Sequence, residues 1–430
     1  MAMSRRPSFG TSSRFNPDRT AMSLRNYALV TLGYWTFTVT DGALRMLVLL
    51  HFHDLGYSPV SLAFLFLAYE AMGVMTNLVG GWIGSRVGLQ RILTMGLALQ
   101  IVALLLLSIR QGGWDEWVSV AFVMTVQGLS GIAKDLTKMS SKSAVKFVAS
   151  EGALFRWVAM LTGSKNALKG VGFFAGGAML GSIGFDAALR SMAAALVLVL
   201  IAVVVLLDNQ LGKTDLAESA LGPSSKPAPA KTMLAKSLAV NRLSIARFFL
   251  FGARDIWFVV ALPVFLEDSL GWSFAGVGAF LASWVIGYGM VQSVAPRVVA
   301  MGRSSGDEVF AARRFAMMLA MLSGAVAFAF SVGVARTAVV LVGLILFGVV
   351  FALNSSLHSF LILAYSSDQV AADVGFYYSA NAAGRLVGTL LSGLLFLWGG
   401  LELALWGSAA FVVITWLLSL RLPSIQRHSV

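Results

Sequence analysis

Nine charged residues interrupt the long apolar stretches of this chain, and their chemistry most needs an explanation. Six are cations and three are carboxylates: Arg45, Lys165, Lys169, Arg247, Arg254 and Arg385, with Asp41, Glu70 and Asp255. A charge within an apolar span costs at least ~2.5 kcal/mol on insertion scales, so it needs a partner or a polar pathway. The excess of cations predicts a site for an anionic ligand, because the arginine fork engages phosphate-like oxygens bidentately.

The spacing of these charges indicates which of them can share a helical face. Residues four apart lie on one face of a helix, so Asp41 shares a face with Arg45, and Lys165 shares a face with Lys169. The adjacent residues Arg254 and Asp255 are not expected to face the same way. Structural ion pairing could absorb three of the cations, and snorkelling could account for Arg247 and Lys165.

We therefore predict a substrate-binding set with Lys169, Arg254 and Arg385 at its core. Its other members are Arg45, Lys165, Asn381 and His358. The three carboxylates, Asp41, Glu70 and Asp255, are predicted charge-pair or coupling groups. Glu70 has two equally good roles, as a proton carrier whose protonation is favoured by desolvation, or as a structural partner for an arginine.

Several classes of site are disfavoured by what the sequence lacks. The chain has no cysteine, which excludes disulfides and thiolate metal sites. It shows no nucleophile–base pair and no metal-ligand cluster, so we expect neither an enzyme nor a metal or cofactor site.

Composition identifies the elements that must position these residues. Of 430 residues, 58% are hydrophobic and only 12% are charged, about half the charge of a soluble domain. Hydropathy predicts an all-α integral membrane protein with twelve transmembrane helices. They lie near 27–52, 60–84, 90–109, 117–138, 152–182, 187–207, 243–266, 274–296, 312–332, 337–363, 374–398 and 402–420.

Internal repetition divides these helices into two pseudo-symmetric halves. The segment LGYS at 55–58 recurs as LGWS at 270–273, and the set Lys169, Gly172 and Gly177 recurs with the same spacing as Arg385, Gly388 and Gly393. Such a duplicated six-helix unit places a midplane site between its halves. The predicted divisions are a disordered cytoplasmic tail (1–25), an N-terminal half (26–207), a cytoplasmic linker (208–242), a C-terminal half (243–421) and a cytoplasmic tail (422–430).

The distribution of basic residues predicts the orientation. With both termini in the cytoplasm, only Arg110, Arg190 and Arg336 of the 32 Lys and Arg residues fall in outer segments, and one outer loop carries Glu267 and Asp268 instead. The positive-inside rule therefore explains the net charge of +12, and nucleic-acid binding is not expected.

Two segments resemble motifs of the major facilitator superfamily. GGWIGSRVGLQR at 80–91 resembles its signature loop, with Gly81, Gly84, Arg86 and Gly88 fitting as gating-loop residues. Ser85 replaces the motif's Asp, which puts charge-relay gating in doubt. GVGFFAGGAMLG at 170–181 resembles the glycine motif of facilitator antiporters without its Pro, and close helix packing explains it equally well. The resemblance implies that helices 1, 5, 7 and 11 line a central cavity.

Longer segments in both halves resemble the ArsJ branch of organoarsenical exporters. They include NYALVTLGYW, TDGALRMLVLLHFHDLGYSP, ARDIWFVVALPVFL and AGRLVGTLLSG. The resemblance implies a multi-pass protein of the bacterial inner membrane that exports 1-arseno-3-phosphoglycerate, with a functional link to the glyceraldehyde-3-phosphate dehydrogenase that makes this adduct. The expected partners are thus a small anionic substrate and the lipid bilayer. The alternative is a proton-coupled exporter of drugs or other organic anions.

Overall fold

The described part of the chain is helical throughout its regular structure. A computed structural model describes residues 17–87, 89–110, 113–148, 154–207, 237–300, 308–366 and 370–424. The helices are α1 Pro17–Asp54, α2 Pro59–Val87, α3 Leu89–Leu107, α4 Glu116–Val148, α5 Leu154–Ile183, α6 Phe185–Leu206, α7 Leu238–Phe258, α8 Ala261–Val264, α9 Phe274–Ala300, α10 Glu308–Ser331, α11 Arg336–Tyr365 and α12 Val370–Ser419. A π-helical turn, Phe265–Ser269, follows α8.

These helices provide the predicted twelve membrane spans. Nine helical stretches of the described chain are long and apolar enough to cross a membrane, counting α7, α8 and the π-helical turn as one. One of these nine stretches, α12, contains two spans, since its backbone leaves the helical region at Gly399 and Gly400, and this makes ten. The remaining two spans are α1 and α5, with 38 and 30 residues, and they carry charges at Asp41 and Lys169. The predicted fold class is therefore confirmed.

The backbone repeats in the two halves at their tight turns. Gly56, between α1 and α2, has φ 82°, and Gly271, at the equivalent turn of the second half, has φ 66°. Gly184, between α5 and α6, has φ 77°, and its counterpart Gly400 has φ 62°. Only glycine adopts such values without strain, so the repeat found in the sequence corresponds to a repeated chain path.

The halves meet along two equivalent helix pairs, α5 with α9 and α2 with α12. We call the end of the bundle with the α1–α2 turn the hairpin side, and the end where α7 begins the linker side. On the hairpin side, a Cβ on Gly177 would collide with the carbonyl of Phe274, and one on Gly393 with the carbonyl of Pro59. Pro59 and Phe274 themselves occupy equivalent positions in the two halves. Close helix packing therefore accounts for glycines of the α5 run.

Three predicted boundaries change. α1 begins at Pro17, where a proline suits a first helical turn, so residues 17–25 are helical rather than disordered. α7 begins at Leu238, because the Ser237 hydroxyl accepts a hydrogen bond from the amide of Val240 and caps it. Residues 238–242 thus belong to the helix and not to the linker. At the other end Leu422, predicted as tail, is buried.

Candidate functional site

Three arginines and two carboxylates form one ion-pair network near the middle of the bundle. Nη2 of Arg385 donates to Oε1 of Glu70 at 2.6 Å, and its Nε donates to Oδ2 of Asp255 at 3.0 Å. Nη2 of Arg45 donates to the same Glu70 oxygen at 3.0 Å, and Arg254 pairs with Asp255. Both carboxylate side chains are 1% exposed. The network joins α1 and α2 of the N-terminal half to α7 and α12 of the C-terminal half.

Glycines let the helices approach closely enough to build this network. A Cβ on Gly388 of α12 would lie 2.6 Å from the carbonyl of Gly252 on α7 and 3.0 Å from Cβ of Asp255. In the N-terminal half, a Cβ on Gly42 of α1 would lie 2.7 Å from the carbonyl of Lys169 on α5. Backbones in such contact place short side chains such as aspartate within reach of the neighbouring helix.

One sequence expectation about pairing is wrong, and one predicted shared face does not form an ion pair. Arg254 and Asp255 are adjacent yet form an ion pair, with Nε of Arg254 donating to Oδ1 at 2.6 Å. The arginine side chain is long enough to reach around the helix. Asp41 and Arg45 share a face of α1, but Asp41 instead accepts a hydrogen bond of 2.6 Å from the hydroxyl of Tyr69. Arg45 reaches Glu70 because α2 packs beside this face.

Glu70 occupies the position of an ion-pair partner, the second of its two predicted roles. Its Oε1 serves two guanidinium groups, while its buried Oε2 has no hydrogen-bond partner among the described residues. Proton carriage by Glu70 stays a prediction.

Two lysines add positive charge without a carboxylate at ion-pair distance. Nζ of Lys169 lies 5.7 Å from the ring centre of Phe173, and Nζ of Lys134 lies 4.0 Å from that of Tyr69. Within the described residues, no carboxylate oxygen lies within 4.0 Å of either Nζ. With the neighbouring ion pair of Asp135 and Lys138 left out of the count, the centre holds five cations against three carboxylates: Arg45, Lys134, Lys169, Arg254 and Arg385 against Asp41, Glu70 and Asp255.

Comparison with known proteins agrees with this architecture. Residues 30–360 match the sequence model of the Major Facilitator Superfamily. The chain belongs to this superfamily. A search of curated protein sequences found no match. The crystal structure of a bacterial homologue of the iron transporter ferroportin, in an outward-facing state, matches with a TM-score of 0.66 over 93% of this chain and 99% of that one. At 14% identity, this likeness shows the fold alone.

This facilitator also has a second polar layer, nearer the linker side, in which the sequence predicted Asn381 as a binding residue but not Arg247 as the centre. Its centre is Arg247 of α7, whose Nε donates to Oδ1 of Asn381 at 2.9 Å and whose Nη1 donates to the carbonyl and hydroxyl of Ser355, each at 3.0 Å. Amide N of Gln292 contacts the same hydroxyl at 3.4 Å, and Gln292 accepts a hydrogen bond from Asn166. Arg247 is 5% exposed. Its guanidinium is bonded within the bundle instead of being directed to the interface, and α7 begins five residues before the predicted start, which places Arg247 in its third turn.

The remaining predicted substrate-binding residues lie in or beside these layers. Asn381 is bonded to Arg247, and His358 is fully buried on α11 with neither ring nitrogen bonded to a described residue. Lys165 lies on α5 one turn from Lys169 and has an interaction of its own. The substrate roles of the whole set stay predictions.

The gating-loop prediction falls largely outside the described residues. Gly88 is not described, and nothing is described of Gly81, Gly84 and Arg86 beyond their helical backbone. α2 extends to Val87, beyond its predicted end, and α3 starts at Leu89. Among the described residues, no three His, Asp or Glu side chains come together as a metal site would require.

Proposed function

We propose that this facilitator is an efflux permease for an organic polyanion and that its substrate is 1-arseno-3-phosphoglycerate. The observation that carries the proposal is the charge of the centre, in which the central network together with Lys134, Lys169 and Asp41 has five cations against three carboxylates. A ligand bearing oxyanions would neutralise this excess. The ArsJ-like segments around Asp41, Asp255 and Arg385 give the arsenate ester as the specific candidate.

The substrate would bind by exchange with the protein's own carboxylates. Each arginine of the network is held by Glu70 or Asp255, so an arriving oxyanion replaces one ionic partner with another. Such an exchange avoids the large desolvation cost of exposing a bare guanidinium in a buried site. Lys169 and Lys134, which have no carboxylate oxygen within 4.0 Å in the described chain, supply the attraction that makes the exchange favourable.

Alternating access would follow from the same exchange. The bond between Glu70 and Arg385 joins the two halves at the midplane, and substrate bound to Arg385 would release it. Facilitators move by rocking their halves around a central site. Binding would thus remove a central link between the halves just when they must move.

The membrane potential can drive export without a coupling ion. Moving one charge through 100 mV is worth ~2.3 kcal/mol, so a trianion leaving a negative interior would gain roughly three times as much. This requires the proposed orientation, with the linker side and both termini in the cytoplasm of a bacterial inner membrane. A glyceraldehyde-3-phosphate dehydrogenase would supply the substrate on that side.

Everted membrane vesicles test the proposal directly. Arsenate, glyceraldehyde 3-phosphate, NAD and the dehydrogenase are supplied outside, and arsenic uptake is measured with and without an uncoupler. We expect uptake to require every component and to fall when the potential is collapsed. Uptake that follows the proton gradient alone would favour the alternative, a proton-coupled exporter. No uptake by folded protein, with adduct formation demonstrated, would overturn the arsenate ester as substrate.

The binding residues are tested by replacing Lys169, Arg254 and Arg385 together with alanine. We expect uptake to be abolished while the protein still inserts in the membrane. Intact transport by the triple variant would overturn the assignment of the central network. The matched control replaces Arg336, whose Nε caps the carbonyl of Phe330 far from the network.

A further inference from the structure

Arg247 is a buried cation that no carboxylate of the described chain neutralises. Its Nε and Nη1 donate only to neutral groups, on Asn381 and Ser355, and its Nη2 makes no hydrogen bond with a described residue. Its guanidinium carbon lies 4.0 Å from the ring centre of Phe251 and 5.1 Å from that of Tyr377, so aromatic faces cover it. A buried cation with neutral partners alone is costly, and a bound anion would compensate it.

The helix that supplies Ser355 to this cation also carries unpartnered polar groups. On α11, Asn354 directly precedes Ser355, which Arg247 contacts, and His358 follows it by three residues. Both side chains are fully buried, and neither the amide of Asn354 nor the imidazole of His358 has a hydrogen-bond partner among the described residues. Buried polar groups are normally satisfied, and a polar ligand that compensated Arg247 would also offer these groups hydrogen-bond partners.

The distance between Arg247 and the central network gives an upper limit for the length of a ligand that contacts both. Arg247 and Arg254 lie seven residues apart on α7, and their guanidinium carbons are 4.0 Å and 5.1 Å from the ring centre of Phe251. The two guanidinium groups are therefore at most about 9 Å apart. A three-carbon chain with an oxyanion at each end spans roughly 6 Å, given bonds of ~1.5 Å. Such a molecule can reach one arginine with each end.

We infer that Arg247, Asn354 and His358 form a second oxyanion subsite, which binds the distal acidic group of a substrate whose first group binds the central network. The inference rests on the proposed function and makes it more specific. The transporter selects short molecules with two anionic ends, and single phosphates occupy only one of the two subsites. Phe251, whose ring is near both arginines, contacts the short carbon chain that joins the ends.

The test measures binding by purified protein in lipid nanodiscs with three stable probes. These are 3-phosphoglycerate, which has two anionic ends, and glycerol 3-phosphate and inorganic phosphate, which have one oxyanion. We expect the unmodified protein to prefer 3-phosphoglycerate. Arg247→Gln should reduce that preference roughly ten- to hundred-fold, as expected for losing a hydrogen bond to a charged group, and should change glycerol 3-phosphate affinity much less.

Two further variants separate binding from folding. Arg242→Gln is the matched control, because Arg242 lies on the same helix but caps the carbonyl of Arg421, and it should leave the preference unchanged. Asn354→Leu removes a side chain with no partner in the described chain, so it should keep the fold while also lowering the preference. An unchanged preference in both Arg247→Gln and Asn354→Leu, or an equal loss for all three probes, would overturn the subsite.

The outcomes distinguish this inference from the proposed function. If the preference exists and falls in the variants, but vesicles take up no arsenate ester, the subsite stands and the substrate proposal fails. If vesicles transport the ester while the unmodified protein shows no preference for two anionic ends, the subsite fails and the substrate proposal stands.

Discussion

Arg385 contacts a carboxylate from each half of the protein with a single guanidinium group. Its Nη2 bonds Glu70 of the N-terminal half, and its Nε bonds Asp255 of the C-terminal half. A planar fork can serve both acids at once, whereas the ammonium group of lysine is a compact point charge on a flexible stem. The geometry at this residue, more than its charge, joins the halves.

Arg385→Lys should therefore impair transport although it keeps the charge. Losing one charge-assisted hydrogen bond is expected to slow arsenic uptake by vesicles roughly tenfold or more. Initial uptake rates, normalised to inserted protein, provide the measurement. Arg336→Lys on the hairpin side is the control and should transport normally. A rate above half of the unmodified value for Arg385→Lys would contradict the bridging role.

Lys169 offers a prediction in which stability and function move in opposite directions. Its Nζ has no carboxylate within 4.0 Å among the described residues, so Lys169→Met should remove an uncompensated charge and raise the melting temperature while transport falls. Lys138→Met is the comparison variant, because Nζ of Lys138 pairs with the buried Asp135 at 3.3 Å. Loss of this ion pair should lower the melting temperature. A fall in both melting temperatures would show that Lys169 is structurally paired.

The sequence identified the charged residues but could not assign their partners. Which side chains meet depends on the depth and rotation of neighbouring helices. The spacing of residues within one helix determines neither the depth nor the rotation of its neighbours. Asp41 and Arg45 satisfied the four-residue rule and still bonded to other residues. Arg247 was misinterpreted because an error of five residues at the start of α7 makes a buried third-turn residue look like one near the interface.

At the scale of whole helices, the sequence was far more informative. Hydropathy and the internal repeat predict the order of spans and the two halves, because spanning a bilayer requires long apolar segments. The repeat extends to the turn glycines, Gly56 with Gly271 and Gly184 with Gly400. Helix ends were less predictable, since they depend on local caps such as Ser237. The glycines of α5 and α12 indicated a packing surface, but their partners could not be predicted.

These packing glycines give a prediction about α12. A Cβ on Gly384 would collide with the carbonyl of Phe248 on α7. The backbone of α7 cannot move away from this contact as a flexible side chain could. Gly384→Ala should therefore destabilise the protein by about 1–3 kcal/mol or more, seen as a lower melting temperature in nanodiscs. Gly324→Ala on α10 is the control, because no atom lies near its Cβ position and alanine favours helix. Equal melting temperatures for the two variants would contradict the close approach of α7 and α12.

Across the whole molecule, the hairpin side is closed by contacts between equivalent parts of the two halves. His53 contacts Asp268 at 2.9 Å, and these two residues occupy equivalent positions in the repeat. Gly177 and Gly393 pack against the carbonyls of Phe274 and Pro59, which are related in the same way. The contact of His53 with its own counterpart Asp268 therefore lies near the pseudo-twofold axis, whereas the two glycine contacts are symmetry-related copies on either side of it. Rocking must separate all of them for the hairpin side to open.

Enlarging one of these glycines should therefore shift the protein toward a state open on the hairpin side. A Cβ on Gly393 would collide with the carbonyl of Pro59 and approach Cβ of Ala63, contacts that an open hairpin side would lose. Because the chain has no cysteine, spin labels can be attached at Leu55→Cys and Ser269→Cys alone, at exposed positions beside the closure. Pulsed electron resonance should show longer distances in Gly393→Ala than in the unmodified protein.

Two further variants separate opening of the hairpin side from a general effect of adding a methyl group. Gly181→Ala, which meets no neighbouring atom, should leave the label distances unchanged. His53→Ala should move them in the same direction as Gly393→Ala, because it removes the other closing contact. Unaltered distances in both Gly393→Ala and His53→Ala would mean that the hairpin side closes through other contacts, and that the repeat-related pairs do not control access to the central network.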